Sequence, residues 1–198
     1  MKRFAGLVFV LGMSQAAFGT QYKLDTSHAT MGFKIRHMGL SWVTGQFGKS
    51  EGMLQYDEKK PEMSNISVKI DTASIDTNEP KRDEHLKSPD FFDVKKYPDL
   101  KFESTKVVFS AGKPTQILGK LTIRGITKEV ALDITDWGGT MTDPWGNERM
   151  AFEASGKIDR TQWGLTWNKG LSKAGGLMVG NDVTLMISAE FVKNDKPS

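Results

Sequence analysis

Histidine is the side chain best suited to acid–base chemistry or metal binding near neutral pH, and this chain has three: His28, His37 and His85. His28 and His37 are an odd number of residues apart, so a regular strand would place them on opposite faces. No cysteine is available to complete a soft metal site. His85 stands in the charged run RDEH, which is typical of a solvated surface. The histidines therefore predict no metal site.

Sequence motifs of common enzyme classes are also missing. The chain has no G-x-S-x-G elbow, no H-E-x-x-H helix, no phosphate-binding loop and no cysteine nucleophile. Aspartate and glutamate are numerous, but carboxylates occur in every chain, and their spacing alone assigns them to no reaction. The sequence favours a binding protein without a cofactor over an enzyme.

The N-terminus has the pattern of a secretory signal peptide, which is removed after export. A basic start at Lys2 and Arg3 precedes the apolar run 4–13 and then small residues. That run is well short of the ~20 residues that cross a bilayer as a helix. We expect cleavage after Gly19, with Ala16 as a second option, so that residues 1–19 are a signal peptide.

The mature chain, residues 20–198, is close to neutral. Removing residues 1–19 takes away two positive charges and no negative ones, so the formal net charge falls from +3 to +1. The remaining basic residues alternate with acidic ones, which argues against a nucleic-acid partner. No linker divides this stretch, so it is predicted to be one domain whose stability comes from a core.

Alternating apolar and polar residues predict β-strands along most of the mature chain. In TMGFKIRHM, for example, Met31, Phe33 and Ile35 share one face, with Lys34 on the other. The same period occurs in NISVKIDTASI, DLKFESTKVVFS, TQILGKLTIRG, KEVALDITDW, RMAFEASGKID and DVTLMISAEFV. Roughly eight strands with hairpin-like spacing predict an all-β antiparallel barrel or sandwich.

An outer-membrane barrel would show the same alternation, with the apolar face turned toward lipid. The aromatic residues do not form paired girdles at the strand ends, however, and several strands are short. A barrel with its apolar face inside is therefore favoured.

One segment departs from the strand pattern. Asn78 is predicted to cap a short helix, with Pro80 in its first turn and Pro89 at its end, so that the helix spans residues 79–87. Two adjacent phenylalanines follow in SPDFFDV and must be buried. In a barrel, the open mouth is the natural place for them.

This segment, RDEHLKSPDFFDVKKYPDLKFES, resembles the YceI-like family, lipocalin-like periplasmic proteins that bind polyisoprenoids and related lipids. YKLDTSHATMGFKIRHMGLSWVTGQF, GKLTIRGITKEVAL and IDRTQWGL are also similar to the family, so the resemblance covers nearly the whole mature chain. One departure is Ala29, where the family often has serine. The resemblance implies a periplasmic, extended eight-stranded antiparallel lipocalin-like β-barrel with one short helix, whose interior holds one long apolar chain.

The resemblance also suggests which residues bind the ligand, against the alternative that they fill a solid core. His37 is predicted to hydrogen-bond to a head group. Trp163 is predicted to contact the ligand or a membrane surface, or else to pack at a barrel end. Arg82 and Asp83 are either an exposed pair or an anchor for the helix. The remaining predicted ligand-binding residues are Phe33, Ile35, Phe47, Ile66, Val68, Phe102, Leu121 and Ile123 along the tunnel, and Phe91 and Phe92 at its mouth.

The predicted function is that of a periplasmic protein that sequesters or carries a polyisoprenoid, such as a quinone or quinone precursor, or a similar long-chain amphiphile. Two alternatives stay open: an envelope protein with a side-chain-filled core, and an enzyme acting on the bound lipid. Transient contact with a membrane surface and pairing into a homodimer are both compatible with the prediction.

Overall fold

The computed structural model of the chain describes residues 19–170 and 176–194. The predicted signal peptide lies, apart from Gly19, outside the described residues, so its cleavage stays a prediction. The described ranges contain one α-helix, α1 (Pro80–Lys87), and the strands β1 (Thr20–Leu24), β2 (Thr30–His37), β3 (Ser41–Phe47), β4 (Ser50–Tyr56), β5 (Asn65–Asp71), β6 (Ile75–Asp76), β7 (Asp99–Ser110), β8 (Lys113–Ile123), β9 (Ile126–Thr142), β10 (Glu148–Asp159) and β11 (Val179–Lys193). Short 3-10 helices lie at Pro61–Met63, Thr72–Ser74 and Arg160–Trp163.

The strands form a closed antiparallel barrel. Around the barrel the order is β1, β4, β5, β7, β8, β9, β10 and β11, and β11 pairs again with β1. Residues 179–188 of β11 pair with β2, and β2 pairs with β3. Thus β1 with β2, and β3 with β4, act as two long bent strands, which gives an eight-stranded barrel with one helix. The predicted fold class is confirmed.

Three strands have too weak an alternation of apolar and polar residues to be predicted from the sequence. They are β1, β3 and β4, which are short and have few apolar residues, with Gly45 and Gly52 interrupting the alternation in β3 and β4. They complete the barrel by pairing with β11, β2 and β5, respectively. Such pairing between distant segments is not visible in a local sequence pattern.

Apolar side chains point into the barrel, where they form two clusters. One centres on Tyr22, Phe152 and Phe191, and the other on Phe91 and Trp163. The antiparallel order places the second cluster at the end of the barrel that also carries α1. We call this end the helix end and the opposite one the far end.

Two glycines inside apolar strands make room for neighbouring side chains. A Cβ at Gly119 would lie 2.5 Å from the ring of Phe102, and a Cβ at Gly156 would lie 2.7 Å from Leu132. Contacts this short do not occur for real Cβ atoms, so both positions require glycine. These glycines therefore accommodate protein side chains rather than a ligand.

Helix α1 begins one residue later than predicted, because Glu79 and not Asn78 is its N-cap. The Glu79 carboxylate accepts a hydrogen bond from the Lys81 backbone N–H at 3.1 Å. Asn78 has a positive φ of 62° and turns the chain into the helix. Pro89 follows the C-cap residue Ser88, as the sequence predicted. In the described part of the chain, no helix is long and apolar enough to cross a membrane.

Thr77 attaches the helix to the barrel wall. It follows β6, which pairs with β3. The Asp83 carboxylate accepts hydrogen bonds from the Thr77 N–H at 2.9 Å and from its hydroxyl at 2.6 Å. The Arg82 guanidinium donates to the Thr77 hydroxyl and carbonyl, both at 2.7 Å. Of the two possibilities that the sequence left open, Arg82 and Asp83 thus follow the second: they anchor the helix, and do so through Thr77.

Candidate ligand-binding cavity

The barrel encloses a cavity of about 450 Å³. This volume falls within the ~300–1,000 Å³ of typical ligand pockets. Every second residue of β11 from Val183 to Phe191 lines the cavity, and this stretch is about 26 Å long at ~3.3 Å per residue. The cavity therefore extends along the barrel and suits an elongated ligand.

Most of the predicted tunnel residues line this cavity, namely Phe33, Ile35, His37, Phe47, Ile66, Val68, Phe91, Phe92, Phe102, Leu121 and Ile123. The alternative interpretation was a barrel whose interior is filled by side chains. A cavity of this size is not expected in such a barrel. That these residues bind a ligand stays a prediction.

Trp163 is the predicted site residue that does not line the cavity. Its side chain is 2% exposed, and its indole N–H donates to the carbonyl oxygen of Leu121 at 3.1 Å. Trp163 packs in the core at the helix end, which agrees with the packing role that the sequence left open. Trp167, four residues later, does line the cavity.

Basic side chains line the cavity at the helix end, where β2 and β10 end, β7 and β11 begin, and α1 lies. The charged or imidazole residues of the lining are Arg36, His37, Lys81, Arg82, His85, Lys101 and Arg160, of which Arg36, Lys81, Arg82 and Lys101 are exposed to solvent. Within residues 19–170 and 176–194, no aspartate or glutamate is part of the lining. The helix end of the cavity is thus bordered by basic residues, of which Arg160 is the buried one.

Aromatic rings meet across the helix end. The His85 ring lies edge to face against Phe91, with centroids 5.0 Å apart, and against Trp167, with centroids 4.8 Å apart. Phe92 contacts Phe47 on the cavity wall, with centroids 5.8 Å apart. The sequence placed His85 on a solvated face, and its side chain is 40% exposed, but one side of the ring also packs against Phe91 and Trp167 because the chain after α1 folds back toward it.

Arg124, to which the sequence assigned no role, holds the phenylalanine segment in place. It lies in the tight turn between β8 and β9. Its guanidinium donates to the carbonyl oxygens of Pro89, at 3.0 Å, and of Phe91. Both phenylalanines of the segment are thereby held against the cavity. The partners are more than thirty residues away, so no local signal points to this contact.

Arg160 is a buried cation in the cavity wall. It begins the 3-10 helix after β10 and is 3% exposed. Its Nε donates to the Gly180 carbonyl at 2.9 Å, and its Nη1 donates to the Leu165 carbonyl. Burial lowers the pKa of Arg160 from its ordinary value, and the nearby charge of Asp159 opposes this shift. Arginine nonetheless stays protonated in proteins.

A cluster at the far end has the composition of a metal site. The ligand atoms of Asp25, His28 and Glu190 lie within 4.8 Å of one another. Arg149, however, places Nη1 2.9 Å from the Asp25 carboxylate and 2.5 Å from that of Glu190, and Nε 2.7 Å from that of Asp143. The guanidinium already pairs with all three carboxylates, so the cluster is an ion-pair network.

Hydrogen bonds in this network shift the pKa values of its carboxyl groups. The Ser27 hydroxyl, followed by His28 and Arg149, holds the pKa of Asp25 well below its usual range. Burial raises the pKa of Asp143, but hydrogen bonds from Asn147 and Arg149 outweigh burial and leave this pKa low as well.

The YceI-like domain matches residues 22–191. The chain belongs to the YceI-like family. It is 39% identical over 192 residues to Protein YceI of Salmonella agona, covering 96% of this chain and 94% of the relative. It is 41% identical over 180 residues to a UPF0312 protein of Serratia proteamaculans, covering 90% of this chain and 89% of that relative.

Solved structures share the YceI-like barrel. The YCEI protein of Campylobacter jejuni superimposes with a TM-score of 0.69 at 32% identity, covering 87% of this chain and 97% of that protein. A polyisoprenoid binding domain from Saccharophagus degradans, implicated in plant cell wall breakdown, gives a TM-score of 0.63 at 12% identity, covering 87% and 98%. At that identity the second likeness is one of fold alone.

Proposed function

We propose that this YceI-like chain is a periplasmic protein that binds a polyisoprenoid, such as a quinone or quinone precursor, or a similar long-chain amphiphile, and sequesters or carries it through the aqueous space. The observation that supports this most is the apolar cavity of about 450 Å³ along the barrel. The barrel shares its fold with a domain described as polyisoprenoid-binding. The N-terminal pattern of a signal peptide supports export.

The apolar walls provide the affinity. Burying one CH₂-sized group contributes about 0.8 kcal/mol, so a five-carbon isoprene unit contributes about 4 kcal/mol of gross stabilisation. Association costs roughly 4–15 kcal/mol and micromolar binding requires about 8 kcal/mol of net free energy, so at least three units are needed for micromolar binding. Since an apolar wall distinguishes chains mainly by length and width, selectivity for the tail is expected to be loose.

Binding of this kind needs no catalytic group, and the cavity wall is consistent with that. Among the lining residues of the described chain, His37 and His85 carry imidazole side chains, the type best suited to acid–base catalysis. His85 is held by Phe91, Trp167 and the Asp90 carboxylate, which lies 2.9 Å from its Nε2. A structural position of this kind favours a binding protein over an enzyme.

The helix end also carries an exposed apolar tip, which we assign to contact with a membrane surface. Leu40, in the turn between β2 and β3, is 80% exposed, and Met38 and Trp42 beside it are also exposed. Arg36 and Lys34 lie over the Trp42 ring, 4.1 and 5.1 Å from its centroid. Apolar side chains next to basic ones suit the headgroup region of an anionic membrane.

This tip directly adjoins the cavity. It follows His37, a lining residue, and the Met38 N–H donates to the carbonyl of Met178, another lining residue, at 2.8 Å. Cargo leaving a membrane at the tip would therefore meet the cavity at its helix end. Pairing into a homodimer stays a prediction of the sequence.

The test is to titrate delipidated protein with prenols of increasing length, from geraniol to farnesol to geranylgeraniol, and to follow tryptophan fluorescence, since Trp167 lines the cavity. The Kd should fall with each added isoprene unit until the cavity is full. An affinity that is undetectable for every prenol, or independent of chain length, would contradict the proposed function.

A further inference from the structure

The barrel contains a second, much smaller cavity toward the far end. Its volume is about 30 Å³, against about 450 Å³ for the main cavity. Side chains of β4, β5 and β7 to β10 line it, among them Leu54 and Phe109. Three residues line both cavities, namely Ile66, Ile117 and Phe152. We call these three residues the partition, because they separate the two cavities.

The partition lies at the buried end of the main cavity. Each of its three residues is at most 7% exposed, and Phe191 beside them is 0% exposed. At the helix end, by contrast, lining residues such as Arg36 and Lys81 are exposed to solvent. The main cavity therefore opens at the helix end and is closed at the partition.

This asymmetry determines how an amphiphile lies in the cavity. The partition residues have apolar side chains, which offer a head group no hydrogen bond. Burying a polar group without a hydrogen-bond partner is costly, whereas a head group at the helix end stays in contact with water. The tail therefore points inward, and its tip meets the partition.

Phe152 has the largest side chain of the partition, and packing holds its ring in place. The ring stacks on that of Phe191, with centroids 6.1 Å apart and an angle of 21° between the planes. On the neighbouring strand β11, Phe152 pairs with Ala189, a small residue that lines the main cavity. A close-packed interior resists displacement of such a ring. The ring of Phe152 thus occupies the space into which a longer tail would extend.

We propose that the partition, and Phe152 above all, sets the maximum length of tail that the main cavity accepts. This inference rests on the proposed function and specifies the length class of its cargo. Each isoprene unit up to the limit is buried against apolar walls and adds affinity. A unit beyond the limit stays in water at the helix end and adds none.

The test measures which tail lengths the protein extracts from a mixture. Delipidated mature protein is incubated with neutral phosphatidylcholine vesicles that contain equal amounts of all-trans prenols from C15 to C40. The protein is then separated from the vesicles, and the bound prenols are quantified by mass spectrometry. The limiting length is the longest prenol before the bound amount drops at least five-fold, because the next isoprene unit would exchange lipid for water.

Phe152→Ala should increase the limiting length by at least one isoprene unit. Deleting a buried ring leaves a cavity, because the surrounding structure relaxes only partly. Since Phe152 lines both cavities, its removal joins them. Phe109→Ala is the matched control: it removes a ring of the same size that lines the small cavity and not the main one. This control should leave the limiting length unchanged.

A second variant tests the same limit in the opposite direction. Ala189→Leu adds volume to the main cavity next to Phe152 and should shorten the limiting length by one unit. Folding of each variant is checked by circular dichroism. If Phe152→Ala does not fold, Ala189→Leu decides the role of the partition.

Three outcomes would overturn the inference. Equal binding of every length by the wild-type protein excludes a limit and leaves the proposed function standing, and this result needs no variant. A limiting length that is unchanged in folded Phe152→Ala, or that shifts equally in Phe109→Ala, removes the limit from the partition. Absence of every prenol from the wild-type protein overturns the inference together with the proposed function.

Discussion

The rings of His85 and Trp167 meet edge to face with their centroids 4.8 Å apart, and this contact joins α1 to the chain that follows β10. Phe91 packs against both rings. The helix end of the cavity is thus covered by aromatic side chains from three separate segments. A ligand that enters or leaves at this end must displace some of them.

Removing the phenylalanine pair should therefore accelerate release of cargo. In the double variant Phe91→Ala and Phe92→Ala, the dissociation rate of bound geranylgeraniol should rise at least ten-fold, because two rings that line the helix end are lost. Stopped-flow exchange against empty vesicles measures this rate. Phe109→Ala is the control, since Phe109 lies at the far end of the barrel. Equal rates in the double variant and the wild-type protein would count against a covering role.

A bulky residue on the inner face of β9 should block the cavity. Val130 lines the cavity, whereas its neighbour Glu129 is exposed on the outer face. Val130→Trp should weaken geranylgeraniol binding at least ten-fold, and Glu129→Trp should leave the Kd within about two-fold of wild type. Both variants need circular dichroism spectra that match the wild-type protein. A Val130→Trp variant that is folded and binds normally would show that the ligand lies elsewhere.

The ion-pair network at the far end should make stability depend on pH in the acid range. The pKa values of Asp25 and Asp143 are lower in the folded protein than the usual carboxyl value of about 4. Such groups contribute stability that is fully present above their unfolded pKa and is lost as pH falls toward the folded pKa. The Tm should therefore fall progressively below about pH 4.

Arg149 is the residue on which this dependence can be tested. Arg149→Met should lower the Tm at pH 7 by several degrees and make the decline in acid shallower, because it removes hydrogen bonds that hold both pKa values down. Lys157→Met, which breaks the exposed ion pair with Asp182, should change neither the Tm at pH 7 nor the steepness of its decline in acid. If the Tm fell with pH as steeply in Arg149→Met as in the wild-type protein, the assigned role of the network would be contradicted.

Membrane contact through the tip between β2 and β3 can be tested with two matched charge substitutions. Leu40→Glu should reduce cosedimentation with anionic phosphatidylglycerol vesicles at least five-fold, because it removes apolar area and adds a repelled charge. Trp145→Glu changes an equally exposed side chain, 82% exposed, at the far end and should have little effect. Equal losses in both variants would indicate that the barrel has no preferred orientation at the membrane.

Much of the barrel could be predicted from the sequence because its longest strands alternate strictly. Ile117, Leu121 and Ile123 of β8 are buried at the positions that the period-2 pattern gives, and the tight turn before Ile126 forms the expected hairpin. The bent pairs β1 with β2 and β3 with β4 were not predicted, since their bends depend on which strand each half meets.

In the candidate site, too, some residues could be predicted from the sequence and others could not. Tunnel residues such as Phe33 and Val68 follow from strand faces, so the sequence located them. The roles of Arg124 and Arg160 depend on backbone carbonyls that are distant in the chain, and these partners are known only when the fold is known. The solvent exposure of His85 follows from its charged neighbours, whereas its aromatic contacts could not be predicted because Phe91 and Trp167 come from later in the chain.

The most direct test of a lipid-filled barrel is native mass spectrometry of the mature protein, purified without detergent from the cells that make it, followed by organic extraction of whatever is released. We expect a bound mass that corresponds to a long-chain isoprenoid or similar amphiphile, and its extraction identifies the cargo. A clean mass of the protein alone, with no uptake when prenols are added, would contradict the proposed function and favour an envelope protein that binds no lipid.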